Sequence, residues 1–300
     1  MKTEAFGSIQ SGKKATLYIL ENKNHTVVKV TDFGATLVSV LFADKDGVMK
    51  DMVLGYDDAA SYEKGTSCFG ATIGRNGNRI KDARFTIDGK EWVIEANENN
   101  NSLHSGKNGF NHLMWEMKES GDNYVTFYHY SPQEEQGFPG NMHVTVTYTL
   151  DDEDTVHITY HAKADADTVM NFTNHSYFNL AGHDSGVMLD QKLQLFADAY
   201  TPDEDSHSIP TGEIAPVAGT PMDFTSEKAI GAEIEADFEQ LKLTGGYDHN
   251  FILDKAVEGS IELMAVASCK ESGITMEAFT DLPCVQFYAG NFIAPVTGKN

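Results

Sequence analysis

Residues 143–162, HVTVTYTLDDEDTVHITYHA, contain the pattern that decides the fold. Apolar side chains alternate with histidine and threonine through 143–150, and the alternation resumes over 155–162 after the acidic run 151–154. A period of two residues places successive side chains on opposite faces of a β-strand. The stretch therefore predicts two half-buried strands joined by a turn, which is an antiparallel hairpin.

A second hairpin is predicted around Asp88-Gly89, because this dipeptide supplies the positive φ angles of a tight turn between the strand patterns 84–87 and 91–94. Only 228–242 has a helical pattern. Further strands are predicted at 26–31, 36–42, 123–130, 192–197, 260–268, 273–280 and 285–289. Strands this numerous bury one face against a second sheet, so the sequence predicts an all-β protein built as a large antiparallel β-sandwich.

The segment 200–225 contains four prolines and predicts a long irregular loop. It is not expected to be an interdomain linker, because strand patterns continue on both sides of it. We therefore expect residues 1–300 to form a single domain.

The composition limits the partners and the compartment. With 45 acidic and 22 basic residues, the net charge of −23 repels phosphate backbones and anionic membranes, so neither nucleic acid nor a membrane is expected as a partner. Residues 1–25 lack a signal pattern, and no apolar run is long enough to cross a bilayer. Cys68, Cys269 and Cys284 follow no metal-ligand spacing and suit free thiols. We expect a cytoplasmic protein.

The run Asn174–Leu180 places His175 among hydrogen-bonding groups and two aromatic rings. Histidine titrates near neutral pH and can act as an acid or a base, although a purely structural histidine is the alternative. Arg79 could fork toward two adjacent sugar hydroxyls or pair with a carboxylate. His104, beside Ser105-Gly106, could lie on a loop lip with a free ring or be a solvated loop residue. Asp248 could accept hydrogen bonds from vicinal hydroxyls or form an Asx turn.

Metal and nucleotide sites are not expected. His157 and His161 lie four residues apart on the outward face of a predicted strand, which is too far apart for an ordinary mononuclear site. The segment 74–79 lacks the spacing, the following helix and the lysine of a phosphate-binding loop. The chain also lacks a G-x-S-x-G element for a nucleophilic serine.

Several of these motifs occur in the order and at the separations typical of one family. They are Asn78-Arg79-Ile80, Asn101-Ser102-Leu103-His104, Asn174–Leu180, Gly246–Phe251 and Gln286-Phe287-Tyr288. In them the chain resembles the aldose 1-epimerases, or galactose mutarotases, from its first strands to its last residue. The resemblance implies a galactose mutarotase-like supersandwich with a concave sugar-binding face, and interconversion of the α and β anomers of galactose or glucose. It implies no cofactor, and we expect a monomer or weak dimer.

Carried over to this sequence, the resemblance makes His175 the general acid that protonates the ring oxygen, with His104 as a second catalytic histidine. It implies sugar-binding roles for the polar residues of the motifs, which are Asn78, Arg79, His104, Tyr177, Asp248 and Gln286. Ring opening needs proton donation at the ring oxygen and proton removal from the anomeric hydroxyl, which agrees with a division between an acid and a base.

The base in the family is a glutamate in a motif resembling Leu-Glu-Thr-Gln, a short distance after a segment like Thr297–Asn300. These 300 residues end before that motif, so the chain is expected to lack its C-terminal end. A noncatalytic sugar-binding protein of the same fold is therefore the alternative. An epimerase of phosphorylated hexoses is less favoured, because such a site needs several basic residues.

Overall fold

The computed structural model describes all 300 residues and is nearly all β. The chain forms two compact units. The first consists of Met1–Phe42, Asp51–Phe178 and Thr297–Asn300, and the second consists of Ala43–Lys50 and Asn179–Val296. The expectation of a single domain stays a prediction. Neither of the two short helices is long and apolar enough to cross a membrane.

The elements up to residue 178 are mostly strands. They are β1 (Lys2–Ser8), β2 (Lys14–Glu21), β3 (Val27–Thr31), β4 (Thr36–Ala43), β5 (Met49–Asp51), α1 (Ala59–Lys64), β6 (Thr72–Ile73), β7 (Arg79–Ile80), β8 (Arg84–Ile87), β9 (Lys90–Val93), β10 (Ser102–Leu103), β11 (Glu116–Ser120), β12 (Tyr124–Ser131), β13 (Met142–Leu150), β14 (Val156–Ala164) and β15 (Thr173–Asn174). The larger sheets have the orders β1-β2-β3-β4-β5 and β11-β12-β13-β14, and β10-β7, β15-β6 and β8-β9 form two-stranded pairs.

The elements after residue 178 form two four-stranded sheets. They are β16 (Lys192–Leu195), β17 (Ala199–Thr201), β18 (Ala215–Pro216), β19 (Lys228–Ala229), α2 (Glu239–Thr244), β20 (Asp248–Ile252), β21 (Glu262–Ser268), β22 (Thr275–Thr280) and β23 (Cys284–Tyr288). The sheet orders are β19-β16-β21-β22 and β18-β17-β20-β23. Their core includes Phe224, Tyr247 and Phe251, each at most 1% exposed.

The two larger sheets of the first unit face each other. The rings of Tyr18 on β2 and Phe127 on β12 meet edge to face with their centroids 5.3 Å apart. The Tyr148 hydroxyl on β13 donates to the carbonyl oxygen of Ala35 at 2.7 Å. Side chains of two sheets that interdigitate in this way form the core of a sandwich, which confirms the predicted fold class.

Both predicted hairpins are confirmed. In the first, Val146 on β13 pairs with Tyr160 on β14, and β13 alternates between buried and less buried residues as its sequence pattern predicts. In the second, Ile87 pairs with Lys90, and the turn residues Asp88 and Gly89 have φ values of 51° and 76°. The other seven predicted strands also form, with ends shifted by a few residues.

The helix predicted at 228–242 is wrong over most of its length. Lys228–Ala229 is a strand in which Ala229 pairs with Lys192, and the only α-helix in this region is Glu239–Thr244. Ile230–Ala232 follow as a single 3-10 turn, in which the amide of Gly231 donates to the carbonyl oxygen of Leu189 at 2.8 Å. Pairing with a neighbouring strand outweighs the weak local helix propensity.

Candidate active site

The strands β7 and β10 hold Asn78 and His104 against each other. Arg79 pairs with Leu103 in this two-stranded ladder. Asn78 immediately precedes β7 and His104 immediately follows β10, with φ values of 62° and 54°. The His104 amide donates to the Asn78 carbonyl oxygen at 3.1 Å, and the Asn78 amide donates to Nδ1 of the His104 ring at 3.0 Å. These reciprocal bonds fix the ring of His104 relative to the backbone of β7.

The bond from Asn78 also fixes the tautomer of His104. A backbone amide can only donate, so Nδ1 must be the unprotonated, accepting nitrogen, and Nε2 carries the proton. Burial, together with smaller contributions from the charge interactions with His175 and Arg79, lowers the pKa of His104 to about 3. His104 is therefore a neutral hydrogen-bond donor through Nε2 over the physiological pH range. His104 lies in the turn after β10 and is half-buried, and its ring is held at Nδ1 instead of being free.

His175 follows β15 and is held by backbone bonds to the segment before β6. Its amide donates to the carbonyl oxygen of Ala71 at 2.9 Å, and its carbonyl oxygen accepts from the Gly70 amide at 2.9 Å. The Asn174 side-chain amide donates to the Gly70 carbonyl oxygen at 2.9 Å and to the Tyr148 hydroxyl at 3.1 Å. Asn174 thereby ties the residue before the histidine to the sandwich core.

The rings of His104, His175 and Tyr177 contact one another in sequence. His104 and His175 meet edge to face with centroids 5.2 Å apart, and Tyr177 packs on His175 at 5.1 Å. Burial lowers the pKa of His175, and a hydrogen bond with its own backbone partly opposes that shift. The ring of Phe69 supports Tyr177 from behind at 5.2 Å, so the cluster has a rigid apolar backing.

The guanidinium of Arg79 forms a bidentate ion pair with a carboxylate. Nε and Nη2 of Arg79 donate to the two oxygens of Glu98 at 2.6 and 2.8 Å, and the two side chains are 13% and 28% exposed. Of the two alternatives left open for Arg79, carboxylate pairing is therefore present. Glu98 gave no signal in the sequence, because a pair separated by 19 residues depends on the fold.

Asp248 and Gln286 lie together in the second unit. They occupy the adjacent strands β20 and β23, in which Asn250 pairs with Gln286 and Asp248 with Tyr288. The Gln286 amide nitrogen donates to an Asp248 carboxylate oxygen at 2.8 Å. Asp248 is therefore an oriented strand residue, and the alternative of an Asx turn is wrong. Nowhere do three His, Cys, Asp or Glu side chains converge where they could hold a metal ion.

Known proteins are similar to this chain over most of its length. The model of the aldose 1-epimerase family matches residues 16–299. The chain belongs to the aldose 1-epimerase family. Galactose mutarotase of Mus musculus is 39% identical over 296 residues, which is 98% of this chain and 84% of that protein. Aldose 1-epimerase of Escherichia coli K12 is 39% identical over 282 residues, which is 94% of this chain and 80% of that protein.

Solved structures place the chain in the same family fold. An aldose epimerase homologue from C. elegans superimposes with a TM-score of 0.84 at 30% identity, over 95% of this chain and 84% of that one. Galactose 1-epimerase from Lactobacillus acidophilus also gives a TM-score of 0.84, at 29% identity, over 97% of this chain and 84% of that one. The agreement confirms the family resemblance and the galactose mutarotase-like sandwich predicted from the sequence motifs.

Proposed function

We propose that this chain is an aldose 1-epimerase that interconverts the α and β anomers of hexoses such as galactose and glucose by opening and reclosing the ring. The observation that carries the proposal is the edge-to-face pair of His104 and His175, with centroids 5.2 Å apart beside the Asn78–Arg79 segment. It is supported by the names of the relatives, which are galactose mutarotase and aldose 1-epimerase at 39% identity.

In this mechanism His175 donates a proton to the ring oxygen. The lowered pKa makes protonated His175 a stronger acid, while it reduces the protonated fraction at neutral pH. The anomeric hydroxyl gives its own proton to a general base, the role that the family resemblance assigns to a glutamate, and its O–H electron pair forms the carbonyl of the open sugar. The bond between the anomeric carbon and the ring oxygen breaks at the same time, and its electron pair is taken up by the ring oxygen as that atom receives the proton from His175. Rotation about the first carbon–carbon bond and reclosure then give the other anomer, with no covalent bond to the protein.

His104 has the complementary role of a fixed, neutral donor. Its Nε2–H stabilises charge on a sugar oxygen without itself titrating, because Nδ1 is occupied by the Asn78 amide. Asn78, Arg79 and Tyr177 bind sugar hydroxyls around the two histidines. These assignments follow the family motifs, and the geometry of the first unit is compatible with them.

Asp248 and Gln286 are proposed as further sugar-binding residues. A carboxylate held by a side-chain amide at 2.8 Å is oriented before the sugar arrives, so less conformational entropy is lost on binding. The family resemblance assigns proton removal to a glutamate in a motif resembling Leu-Glu-Thr-Gln.

The protein is further proposed to be cytoplasmic and to act as a monomer or weak dimer. Its three cysteines are all unpaired, which agrees with a reducing compartment. Size-exclusion chromatography with light scattering measures the oligomeric state directly.

Polarimetry on freshly dissolved α-galactose tests the function. The protein should accelerate the drift in optical rotation above the spontaneous rate, whereas a noncatalytic sugar-binding protein would leave that rate unchanged.

His175→Asn should lower turnover on the order of a hundredfold, the usual effect of losing a positioned acid, and leave galactose affinity within about tenfold. The matched control is His161→Asn, which makes the same change at an exposed position of β14. A variant His175→Asn that is as fast as its parent would remove His175 from the mechanism.

A further inference from the structure

The side chain of Asn97 replaces a strand neighbour for the residue that precedes His104. The Leu103 amide donates to Oδ1 of Asn97 at 2.7 Å, and Nδ2 of Asn97 donates to the Leu103 carbonyl oxygen at 2.9 Å. A side-chain amide that satisfies both main-chain groups of one residue reproduces the bonding of a sheet partner. Leu103 is therefore held on one side by Arg79 of β7 and on the other by Asn97.

Glu98, the next residue, holds the opposite strand of the same ladder. Its carboxylate accepts both bonds from Arg79 at 2.6 and 2.8 Å. Its backbone is fixed as well, because the Glu98 amide donates to the Asn101 carbonyl oxygen at 3.1 Å and the Asn101 amide donates to the Glu98 carbonyl oxygen at 2.7 Å. A bidentate pair on a fixed turn has low conformational freedom, which makes the position of the guanidinium well defined.

We propose that Asn97 and Glu98 are the positioning pair of the sugar site. Asn97 fixes the position of His104 through Leu103, and Glu98 fixes the position of the Arg79 guanidinium and neutralises its charge. This inference rests on the proposed function. The pair also affects substrate specificity. An arginine neutralised by a carboxylate provides hydrogen-bond donors without a net positive charge, so the pair favours neutral hexoses over hexuronates, whose carboxylate is repelled by Glu98.

Two substitutions at Glu98 separate charge from geometry. Glu98→Gln keeps the size but removes the negative charge, and Glu98→Asp keeps the charge but shortens the reach. We expect Glu98→Gln to raise KM for galactose on the order of tenfold with little change in kcat, the usual effect of losing a charge-assisted hydrogen bond. The ratio of kcat/KM for galacturonate to kcat/KM for galactose should rise about tenfold in Glu98→Gln and stay at the parent value in Glu98→Asp.

Substitutions at Asn97 test the second half of the pair through His104. Asn97→Asp retains the acceptor for the Leu103 amide but loses the donor to its carbonyl oxygen, and Asn97→Ala loses both. We expect kcat to fall on the order of tenfold in each variant with a smaller change in KM. The ¹⁵N signal of His104 Nδ1 should move away from its accepting position. If Asn97→Ala does not fold by circular dichroism, Asn97→Asp provides the same readouts.

The matched control is Asn100→Gly, in the same turn. Asn100 is exposed and has a φ of 67°, which glycine adopts readily, so both kinetic constants should stay at the parent values. The inference would be overturned if the Asn97 and Glu98 variants fold and keep the parental kinetic constants, the parental ratio of kcat/KM values for the two sugars and the parental ¹⁵N signal of His104. That outcome would leave the proposed function intact. A parent protein that neither binds galactose by calorimetry nor accelerates its mutarotation would overturn both.

Discussion

His104 is the residue whose chemistry the structure defines most completely. Its Nδ1 accepts from the Asn78 amide at 3.0 Å, and burial lowers its pKa to about 3. A histidine of this kind is a hydrogen-bond donor of fixed direction. The Asn78 amide bonds the ring of His104 and not that of the neighbouring His175, and His175 is assigned the proton transfer. Both residues are histidines, and the different surroundings of the two rings give them different roles.

This assignment predicts that His104 does not titrate in the range in which the enzyme would work. In ¹⁵N NMR spectra recorded between about pH 5 and pH 8, His104 should show the neutral tautomer with the proton on Nε2, whereas an unperturbed histidine titrates near pH ~6.5. The reason is that protonating Nδ1 would break the bond from Asn78 and place a charge in a buried site beside Arg79. A titration midpoint for His104 near the unperturbed value would contradict the assigned role.

Residues that carry a motif could be identified from the sequence, while residues that support them could not. His104, His175 and Asp248 lie in short polar runs that interrupt strand patterns, which is a local signal. Asn97 and Glu98 act through Leu103 and Arg79, and nothing local distinguishes them from other polar loop residues. Arg75 is similar, because it is completely buried and its guanidinium donates to main-chain oxygens 56 to 65 residues away.

At the level of elements, one turn joins the two larger sheets of the first unit. The turn between β13 and β14 contains Asp154, whose carboxylate accepts from Asn22 at 2.7 Å, Asn24 at 3.0 Å and Thr26 at 2.7 Å. The three donors lie in and beside the turn between β2 and β3. The hairpin whose sequence pattern predicts the fold therefore also links the two sheets through hydrogen bonds.

Removing this carboxylate should destabilise the protein. We predict that Asp154→Gly lowers the free energy of unfolding by about 1–3 kcal/mol, because several donors lose their acceptor at a partly buried site. Glycine is the suitable replacement since Asp154 has a φ of 64°, where other side chains would add strain. Urea unfolding measures the change, and Glu153→Ala at the adjacent exposed position is the control. Equal losses in the two variants would show that the bonds to the β2–β3 turn contribute nothing.

Elements with a strong local pattern were predicted correctly and those that depend on distant partners were not. The alternation of β13 and the Asp88-Gly89 turn determine their own structure. The segment 228–242 looks amphipathic, yet Ala229 pairs with Lys192 and prevents the helix. The helix α1, which is capped by Asp58, was not predicted, because its six residues are too few for a helical periodicity to show in the sequence.

At the scale of the whole molecule, burial acts on histidines in both units in the same direction. It lowers the pKa of His104 to about 3 and that of His249 to about 4, and it also lowers the pKa values of His112 and His175. An unfolded chain protonates these histidines near pH ~6.5, so it binds more protons than the folded protein below that pH. The free energy of unfolding should therefore fall as the pH drops below about 6.5, and the loss should continue toward the folded pKa values.

Two other electrostatic effects can be separated from this one. Carboxylates with lowered pKa values, such as Glu262 at about 2, lose stabilising interactions only when they protonate below about pH 4. The net charge of −23 gives self-repulsion that weakens as the pH falls, which opposes the histidine effect. Salt at about 1 M shortens the Debye length to about 3 Å and suppresses the repulsion between exposed charges, while buried histidines are screened much less.

We therefore predict that, in about 1 M salt, urea unfolding gives a clearly lower free energy at about pH 5 than at about pH 7.5. His249→Leu should reduce that difference, because Nε2 of His249 is buried without a partner and an apolar side chain of similar size has no proton to take up. The exposed His161→Asn serves as the control and should keep the parental pH dependence. If the free energy of unfolding is the same at both pH values, or if His249→Leu retains the full difference, then burial of histidines is not what limits the stability of this protein in acid.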